Sequence, residues 1–405
     1  MPRLYPSFRF QVSGFRFQVS ALIPLLLSLP LHAATWHASD TTEIRKALAG
    51  VRPGDTILIN PGTYSGVIHI ENLAGSNTAP ITIRGTDPQS PPTFQSGNEG
   101  LHLTDCQYLK LQHLHFTGFA DNGINIDDGG SFDTPSHHLI LEDLAITETG
   151  PHGNHDALKL SGVTDFVVRR CRFEGWGGSA IDMVGCHRGV VEECRFFGRE
   201  RNDQASGIQI KGGSSNILIQ TSFFHWAGQR AINIGGQTDP AFFRPADAPY
   251  EATAVEVAGN RIFGSQASIV WATSDGSLVH HNALIFPHHW ILRILQESQD
   301  KRVAPCRNGL FSQNIVLYDE RVTTVVNVGE NTAPELFQFQ SNLWHRTAGA
   351  KPLRLPGPGT ANLQQIDPEI PTQGAGAFHT RATDPRLSTL GADHYTPAPA
   401  PFVLP

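Results

Sequence analysis

The sequence repeats a short strand pattern, and this repeat limits the possible folds more than any other feature of the chain. An apolar-x-apolar-x-Gly segment occurs four times, at residues 158–162, 181–185, 208–212 and 232–236. In a strand, alternate side chains point to opposite faces, so each segment turns aliphatic side chains to one face and polar ones to the other. The repeat therefore predicts a coiled sheet that buries its aliphatic face and carries a polar strip outside.

A second strand type alternates with the first and carries its own inward column of residues. Its segments include Leu109–Phe116 and Ile217–Phe223, and equivalent positions recur at steps of 22 to 39 residues, which is typical of a solenoid. Asparagines in the column are expected to hydrogen-bond the coils above and below, and its cysteines to be buried free thiols. The column comprises Leu114, Leu144, Cys171, Cys194, Thr221, Asn260, Asn282, Asn314 and Asn342.

The chain resembles the right-handed parallel β-helix proteins of the pectate-lyase-like superfamily over about residues 50–350. Its first coil, Gly54-Asp-Thr-Ile followed by Pro61-Gly-Thr-Tyr64, is similar to that of chondroitinase B and alginate lyases. The resemblance implies an all-β chain with a right-handed parallel β-helix at 35–350. The Pro/Gly-rich composition of 351–405 predicts an irregular tail that is packed along the helix or partly disordered. A capping box at Asp40–Glu43 predicts a short helix that covers the first coil.

The N-terminal residues 1–34 predict a signal peptide. Three arginines precede an apolar run at 21–31, and the small residues Ala33 and Ala34 follow it. The run is too short to span a membrane, and no later stretch is long enough, so the protein is expected to be secreted or periplasmic. A net charge of -7 argues against nucleic acid as a partner. We expect a monomer.

The polar strip contains the candidate functional residues. Lys159, Asp182, Gln209 and Asn233 hold equivalent places in the four repeated segments, and equivalent residues of neighbouring parallel strands lie about 4.8 Å apart. The other candidates flank this line or come from the longest inserted loop, Gln237–Glu251. They are Asp156, Lys211, Arg230, Arg293, Glu297, Arg244 and Tyr250.

Lysines and arginines grouped on an acidic protein predict an acidic polysaccharide as the partner, because guanidinium groups bind carboxylates with two hydrogen bonds. Cleaving a uronate by β-elimination requires a neutralised carboxylate and a base near C5, and a lysine can be that base if burial and nearby positive charge lower its pKa. Lys211 is the expected base, with Arg230 and Arg244 as carboxylate neutralisers.

Further roles are assigned to residues beside this set. Lys159 and His155, which precedes Asp156, are expected to assist catalysis. The expected substrate-binding residues are Arg244, Tyr250, Arg293, Gln209, Asn233 and Glu297.

The family resemblance also bears on metal binding. Lyases of the superfamily use sets of Lys, Arg and Ca²⁺, and here Asp156 and Asp182 are the candidate Ca²⁺ ligands, or else polarise the lysines. The segment Arg230–Gly235 is similar to a strand of the alginate lyases but lacks its acidic residue.

Two other functions remain open from the sequence. A glycoside hydrolase needs two carboxyl groups about 5 to 9.5 Å apart, which Asp156 with Asp182, or Asp127 with Asp128, would supply. The aspartate cluster typical of β-helix polygalacturonases is absent. A non-catalytic polysaccharide-binding or structural β-helix is equally compatible with the repeat. Burial of Lys211 and Arg230 under the loop at 237–251 would favour catalysis, and exposure on a flat face would favour binding.

Overall fold

The computed structural model describes residues 33–131, 133–151, 153–199 and 204–405. The expected signal peptide at 1–34 lies outside these residues except for its last two, so it stays a prediction. Within the described part of the chain, no helix has the length and apolar character needed to cross a membrane.

A short helix covers the first coil, as the capping box predicts. The helix spans Thr41–Gly50, and the Asp40 carboxylate accepts a hydrogen bond from the Glu43 backbone N–H at 2.8 Å. The Glu43 carboxylate in turn accepts one from the Ser39 N–H. Ile44 and Ala47 are buried against the core, so the helix shields apolar side chains that the end of the stack would otherwise expose.

The remaining chain winds into coils, and each coil contributes one strand to each of three parallel sheets. Sheet I has 13 strands, sheet II has 12 and sheet III has 10, and neighbouring strands of a sheet come from successive coils. The strands of sheet I are Thr35–Ala38, Thr56–Ile59, Ile81–Gly85, Gln107–Gln112, Ser136–Glu142, Val163–Arg169, His187–Glu192, Ser214–Gln220, Ala252–Ala258, Ser274–His280, Arg307–Ser312, Gln338–Gln340 and Gly359–Thr360.

Sheets II and III follow sheet I within each coil. The strands of sheet II are Thr63–Ser65, Thr93–Gln95, His115–Thr117, Ala145–Thr147, Arg172–Glu174, Arg195–Phe197, Phe223–His225, Arg261–Phe263, Ala283–Ile285, Ile315–Tyr318, Leu343–Arg346 and Leu363–Gln364. Those of sheet III are Ile68–Glu71, Leu101–Thr104, Ile124–Asp127, Leu158–Ser161, Ser179–Val184, Ser206–Lys211, Arg230–Gly235, Ala267–Ala272, Trp290–Leu295 and Thr324–Val328. The protein is an all-β, right-handed parallel β-helix, as expected.

Each strand of the second type is in fact two strands joined by a bend. Leu109–Phe116, for example, divides between sheets I and II at His113, whose φ is 53°. Arg170, Glu193 and Thr221 adopt the same left-handed conformation at equivalent places in later coils. Alternating apolar residues continue through the bend, which is why the sequence pattern does not show it.

The residue after each bend points inward and forms the predicted column, with one correction. The column contains Ser222, because its hydroxyl accepts the Cys194 N–H and its own N–H bonds the Asn260 side chain. The internal repeat predicts Thr221 at this position, which is one residue too early. In the structure Phe224, not Phe223, pairs with Phe196. Thr221 is the bend residue of its coil, and the inward position is the next residue, Ser222. An error of one residue in a strand exchanges inward and outward side chains, which is why the repeat also predicts Phe223 on the wrong face.

Asparagines continue the column as a buried ladder. Asn260, Asn282, Asn314 and Asn342 each donate a side-chain N–H to the side-chain oxygen of the next asparagine, at 3.0–3.1 Å, and the last bonds Asn362. These side chains also bond backbone groups of adjacent coils, for example the Asn282 amide to the Val257 carbonyl. The ladder therefore satisfies buried polar groups along the turn. All five cysteines are buried and free, as expected for Cys171 and Cys194.

The stack of coils continues further along the chain than the sequence predicts, and the chain after it packs on the outside of the helix. Strands at 359–360 and 363–364 add to sheets I and II, so the coils continue past residue 350. The chain beyond them packs against the outside of the helix. Ile370, Leu387 and Leu390 are buried against sheet II, and Leu404 is buried against sheet I. The tail beyond residue 364 thus lies on sheets I and II.

Candidate active site

Strand pairing in sheet III brings the repeated polar positions into one line. Lys159 pairs with Asp182, Asp182 with Gln209, and Gln209 with Asn233, as the repeat predicts. Arg293 continues the line two coils later, after Val270. Asp182 and Asn233 are nonetheless buried, because neighbouring side chains and loops cover them.

The line opens into a pocket beneath the longest inserted loop. The pocket has a volume of about 370 Å³, and Lys159, Lys211 and Arg244 supply its positive charges. Its floor comes from sheet III, and its wall comes from the start of the loop at 237–251, which includes the 3₁₀ turn Pro240–Phe242. The other lining residues are Asn154, Ser161, Gly162, Val184, Gln237, Thr238, Asp239 and Phe242.

Asp182 lies between the two lysines of the floor. Its carboxylate contacts Lys159 closely, and its other oxygen is 3.4 Å from the Lys211 Nζ. Lys159 also lies 3.4 Å from Asp156. Both aspartates are buried, whereas the side chains of Lys159 and Lys211 are 20% and 14% exposed. The lysines thus reach the pocket while the carboxylates stay behind them.

These contacts set the protonation of the floor. Burial by itself would lower the pKa of Lys159, but the charges of Asp182 and Asp156 outweigh it and raise that pKa above its usual value. Burial, followed by the charge of Asp182, raises the pKa of Asp156 to about 6, although Lys159 opposes this. Lys159 is therefore held as an ammonium ion, which suits binding of an anion better than proton removal.

Arg244 and its partner Asp128 pack over two glycines of the repeated strands. Its guanidinium donates to both carboxylate oxygens of Asp128, at 2.7 and 3.2 Å. Asp128 packs over Gly162, and the Arg244 side chain packs over Gly185, where a Cβ would lie 2.3 Å from the Arg244 Cγ. The glycine of the repeated strand pattern therefore leaves room for this ion pair.

The loop itself is fixed by a buried acid. The Glu251 carboxylate accepts hydrogen bonds from the N–H groups of Gly212 and Thr238 and from the Thr238 hydroxyl, at 2.6–2.8 Å. The Arg244 N–H bonds the Gly212 carbonyl. Both ends of the loop are thus held to the strand that carries Lys211, which fixes the wall relative to the floor.

Arg230 does not join the pocket. It lies five residues from the position of Lys211 along the strand direction, or roughly 16 Å, and its guanidinium pairs with Glu297 at 2.6 Å. Of the two residues expected beneath the loop, only Lys211 is there. The sequence missed this because Arg230 and Lys211 lie at opposite ends of their strands.

The other predicted residues occupy separate places. The His155 imidazole bonds Asp121 at 2.6 Å and does not line the pocket. Tyr250 packs at the base of the loop with Phe243. Gln209 lies beside the pocket at Gly236, and the Asn233 amide bonds the Gly235 carbonyl. Roles for these residues in catalysis or substrate binding stay predictions.

The donor set does not fit a Ca²⁺ ion between Asp156 and Asp182. The Lys159 ammonium already contacts both carboxylates, and a cation would have to displace it. No group of three or more His, Cys, Asp or Glu side chains that could hold a metal ion occurs in the described ranges. Calcium binding by this pair stays a prediction, and the contacts of Lys159 with both carboxylates disfavour it.

Sequence reasoning missed two parts of this face. The pairing of Arg244 with Asp128 joins residues 116 positions apart, and only the glycine at the end of each repeated strand hints at it. The polar line also extends toward the N-terminus through Asn125 and His102. The His102 imidazole bonds Glu99 and Asp127. The alternating pattern of strands 101–104 and 124–127 carries the signal for that extension.

Comparison with known proteins agrees with this architecture. Residues 99–284 match the family model described as right handed beta helix region. The chain contains a right-handed β-helix region. No curated protein matches this β-helix chain as a relative.

Three solved structures share the fold of the β-helix protein. The A-module of mannuronan C-5 epimerase AlgE6 from Azotobacter vinelandii has a TM-score of 0.55 at 11% identity, over 82% of this chain and 97% of that one. GH136 lacto-N-biosidase from Eubacterium ramulus has a TM-score of 0.53 at 12% identity, over 83% and 67%. Pectate lyase Pel9A has a TM-score of 0.51 at 13% identity, over 92% and 89%. At these identities the likeness establishes the fold alone, which carbohydrate-active enzymes of several classes share.

Proposed function

We propose that this β-helix protein is a polysaccharide lyase that cleaves a uronic-acid-containing glycan by β-elimination. The observation that carries the proposal is the pocket in which Lys159, Lys211 and Arg244 face one cavity of about 370 Å³ under the loop at 237–251. Three cationic side chains around a cavity suit a ligand with a carboxylate, and the backing aspartates hold two of them in place.

The reaction assigns different roles to these cations. A base removes the proton from C5, the electron pair of that bond forms the C4=C5 double bond, and the C4–O bond breaks, with a proton added to the leaving oxygen. Lys211 is the proposed base. Lys159, which is held protonated, and Arg244 bind the uronate carboxylate and stabilise the negative charge that develops when C5 loses its proton. The sequence predicts Arg230 and Arg244 as the neutralisers of the substrate carboxylate, and the proposal assigns this role to Arg244 without Arg230.

Hydrolysis by the proposed aspartate pairs finds less support. Asp156 and Asp182 are buried behind Lys159, so neither faces the cavity. Asp128 is bound by Arg244, and Asp127 by His102. A hydrolase needs one carboxyl group at the glycosidic oxygen and a second on the other side of the bond. None of these four carboxyl groups is among the side chains that line the cavity.

The test is to incubate the purified protein with a panel of polyuronates and glycosaminoglycans. Two products are followed, the ultraviolet absorbance of unsaturated uronates and the number of new reducing ends. A lyase produces both in parallel. New reducing ends without absorbance would indicate a hydrolase and contradict the proposal. Binding without either product would leave a non-catalytic glycan-binding protein.

A further inference from the structure

A second cationic cluster lies on sheet III, three coils beyond the strand of Lys211. The Arg293 guanidinium lies over the Trp290 ring, 4.0 Å from its centroid, and its Nε donates to the Asn327 side chain at 2.9 Å. Arg230 lies on the same face, where it pairs with Glu297. Three coils correspond to about 14 Å along the axis, so this cluster is distinct from the pocket.

The Arg293 guanidinium has no ion-pair partner within hydrogen-bond distance among the described residues. No carboxylate in the described ranges forms an ion pair with it, since Glu297 is 2.6 Å from Arg230 instead. The ring beneath and the bond to Asn327 fix the guanidinium plane and leave its two terminal nitrogens without a hydrogen bond to any described residue. A partly buried, fixed guanidinium with two free donors is the geometry that binds a carboxylate or sulfate group with two parallel hydrogen bonds.

The adjoining coil adds space and further positive charge. Thr324 pairs directly with Trp290 and belongs to the wall of a cavity of about 420 Å³ at the last strand of sheet III. Lys351 and Arg354 also line this cavity, and no carboxylate in the described part of the chain pairs with either. Two further cations therefore lie at the end of sheet III, on a protein whose net charge is -7.

We propose that Arg293 is the centre of a distal subsite that binds an anionic substituent of the polysaccharide, carboxylate or sulfate, several sugar units from the cleaved bond. Lys351 and Arg354 extend the subsite toward the end of the sheet. The inference rests on the proposed function, because it assigns the occupant of this subsite to the same chain that enters the pocket. It also makes the substrate a polymer with repeated negative charges, bound along sheet III.

The experiment is affinity gel electrophoresis of the wild type, Arg293→Gln and Arg195→Gln. The affinity is measured from the retardation of each protein in gels that contain a polyuronate, dextran sulfate or neutral dextran. Arg195 is an exposed arginine on sheet II, so its variant has the same net charge change on another face. Arg293→Gln is expected to weaken polyanion binding about tenfold, since it removes a charge-assisted hydrogen-bond pair, while Arg195→Gln binds as the wild type. Thermal melting checks that both variants fold.

The outcomes separate this inference from the proposed function. Equal binding by wild type and Arg293→Gln, equal loss in both variants, or no binding of any polyanion by the wild type would overturn the subsite. A selective loss on the polyuronate identifies carboxylate as the bound group, and one on dextran sulfate identifies sulfate. Binding that depends on Arg293, with no cleavage of any polymer, would keep the subsite and contradict only the lyase.

If the protein cleaves, chain length gives a second measurement. Arg293→Gln should raise KM about tenfold for a long polyuronate and leave KM for a disaccharide unchanged, because a disaccharide in the pocket is too short to span the roughly 14 Å to Arg293. An equal rise in KM for both lengths would contradict a distal position.

Discussion

Asp182 is the residue on which the charge arrangement of the pocket depends. It is buried and contacts both Lys159 and Lys211. A buried carboxylate is stable only with compensating charge, and here that charge also serves the pocket. Asp182 and Asp156 together raise the pKa of Lys159 and make it a poor base, so Lys211 is left as the candidate.

Removing the charge of Asp182 should destabilise the fold. Asp182→Asn is expected to lower the free energy of unfolding by about 2 kcal/mol, less than for a fully buried pair because both lysines are partly exposed. Urea denaturation measures the change. Asp239→Asn, an exposed carboxylate on the pocket wall, is the control and should lose less than about 0.5 kcal/mol. Equal losses in the two variants would contradict the role of Asp182.

The raised pKa of Asp156 predicts that polyanion binding depends on pH. Its raised pKa means that it gains a proton as the pH falls through about 6. The pocket then loses one negative charge while Lys159, whose pKa is raised by Asp182 and Asp156, stays positive. Affinity for a polyuronate should therefore increase as the pH is lowered from 8 to 5, in which range the substrate carboxylates stay largely ionised.

Binding titrations at several pH values measure this effect, and Asp156→Asn is the matched variant. It removes the titrating group but keeps the shape, so its affinity should change much less with pH across the same range. An unchanged pH dependence in Asp156→Asn would assign the effect to other groups, such as the histidines, and contradict the prediction.

At the scale of elements, two of the glycines that end the repeated strands, Gly162 and Gly185, leave room for the ion pair of Asp128 and Arg244. Gly185 has a φ of 62°, and a Cβ there would lie 2.3–2.4 Å from the Arg244 side chain. Gly118 has a similar φ of 71° with nothing within 4 Å of an added Cβ. The two positions therefore separate backbone strain from the clash with Arg244.

Alanine at these two positions should have different effects. Both variants are expected to lose about 1 kcal/mol of stability through the left-handed backbone. Gly185→Ala should lose more and also weaken substrate binding, because it displaces Arg244 from Asp128. Denaturation and KM measure the two effects. If Gly118→Ala impaired KM as strongly as Gly185→Ala, the proposed role of Arg244 would be wrong.

The sequence predicts the repeating elements well and the site only in part. Alternating apolar residues and glycines identify the strands of sheet III and bring Lys159, Asp182 and Gln209 into line. The bends between sheets I and II carry ordinary side chains, so the pattern merges two strands and places Thr221 where Ser222 belongs. Pairing of Arg244 with Asp128 and of Arg230 with Glu297 depends on how the inserted loops fold, which no local period encodes.

At the scale of the whole molecule, the part of the tail beyond residue 364 covers sheets I and II and leaves the pocket of sheet III open. Tyr395 and the Ala398 backbone both bond Gln220, which holds the tail to sheet I. Leu387 and Leu390 bury apolar residues of sheet II, including Ile315. The tail therefore stabilises the stack without entering the candidate site.

Deleting residues 368–405 should destabilise the protein without changing the pocket. Loss of three buried apolar side chains on sheet II is expected to cost about 5 kcal/mol and to expose an aggregation-prone surface. Deleting only 399–405 uncovers the smaller cluster around Ile140 and should cost less. Thermal unfolding measures both. Equal melting temperatures for the two deletion variants would contradict the larger contribution of the sheet II cluster. A raised KM in the shorter deletion would contradict a tail that lies outside the candidate site.

The most direct measurement of the central claim is the ultraviolet absorbance of a polyuronate digest with wild type, Lys211→Ala and Arg195→Gln. The absorbance should rise with wild type and Arg195→Gln, and at least about a hundredfold more slowly with Lys211→Ala, since general base catalysis contributes about that much or more. Unchanged absorbance with wild type across the panel, or an undiminished rate in folded Lys211→Ala, would contradict elimination by Lys211 in this pocket.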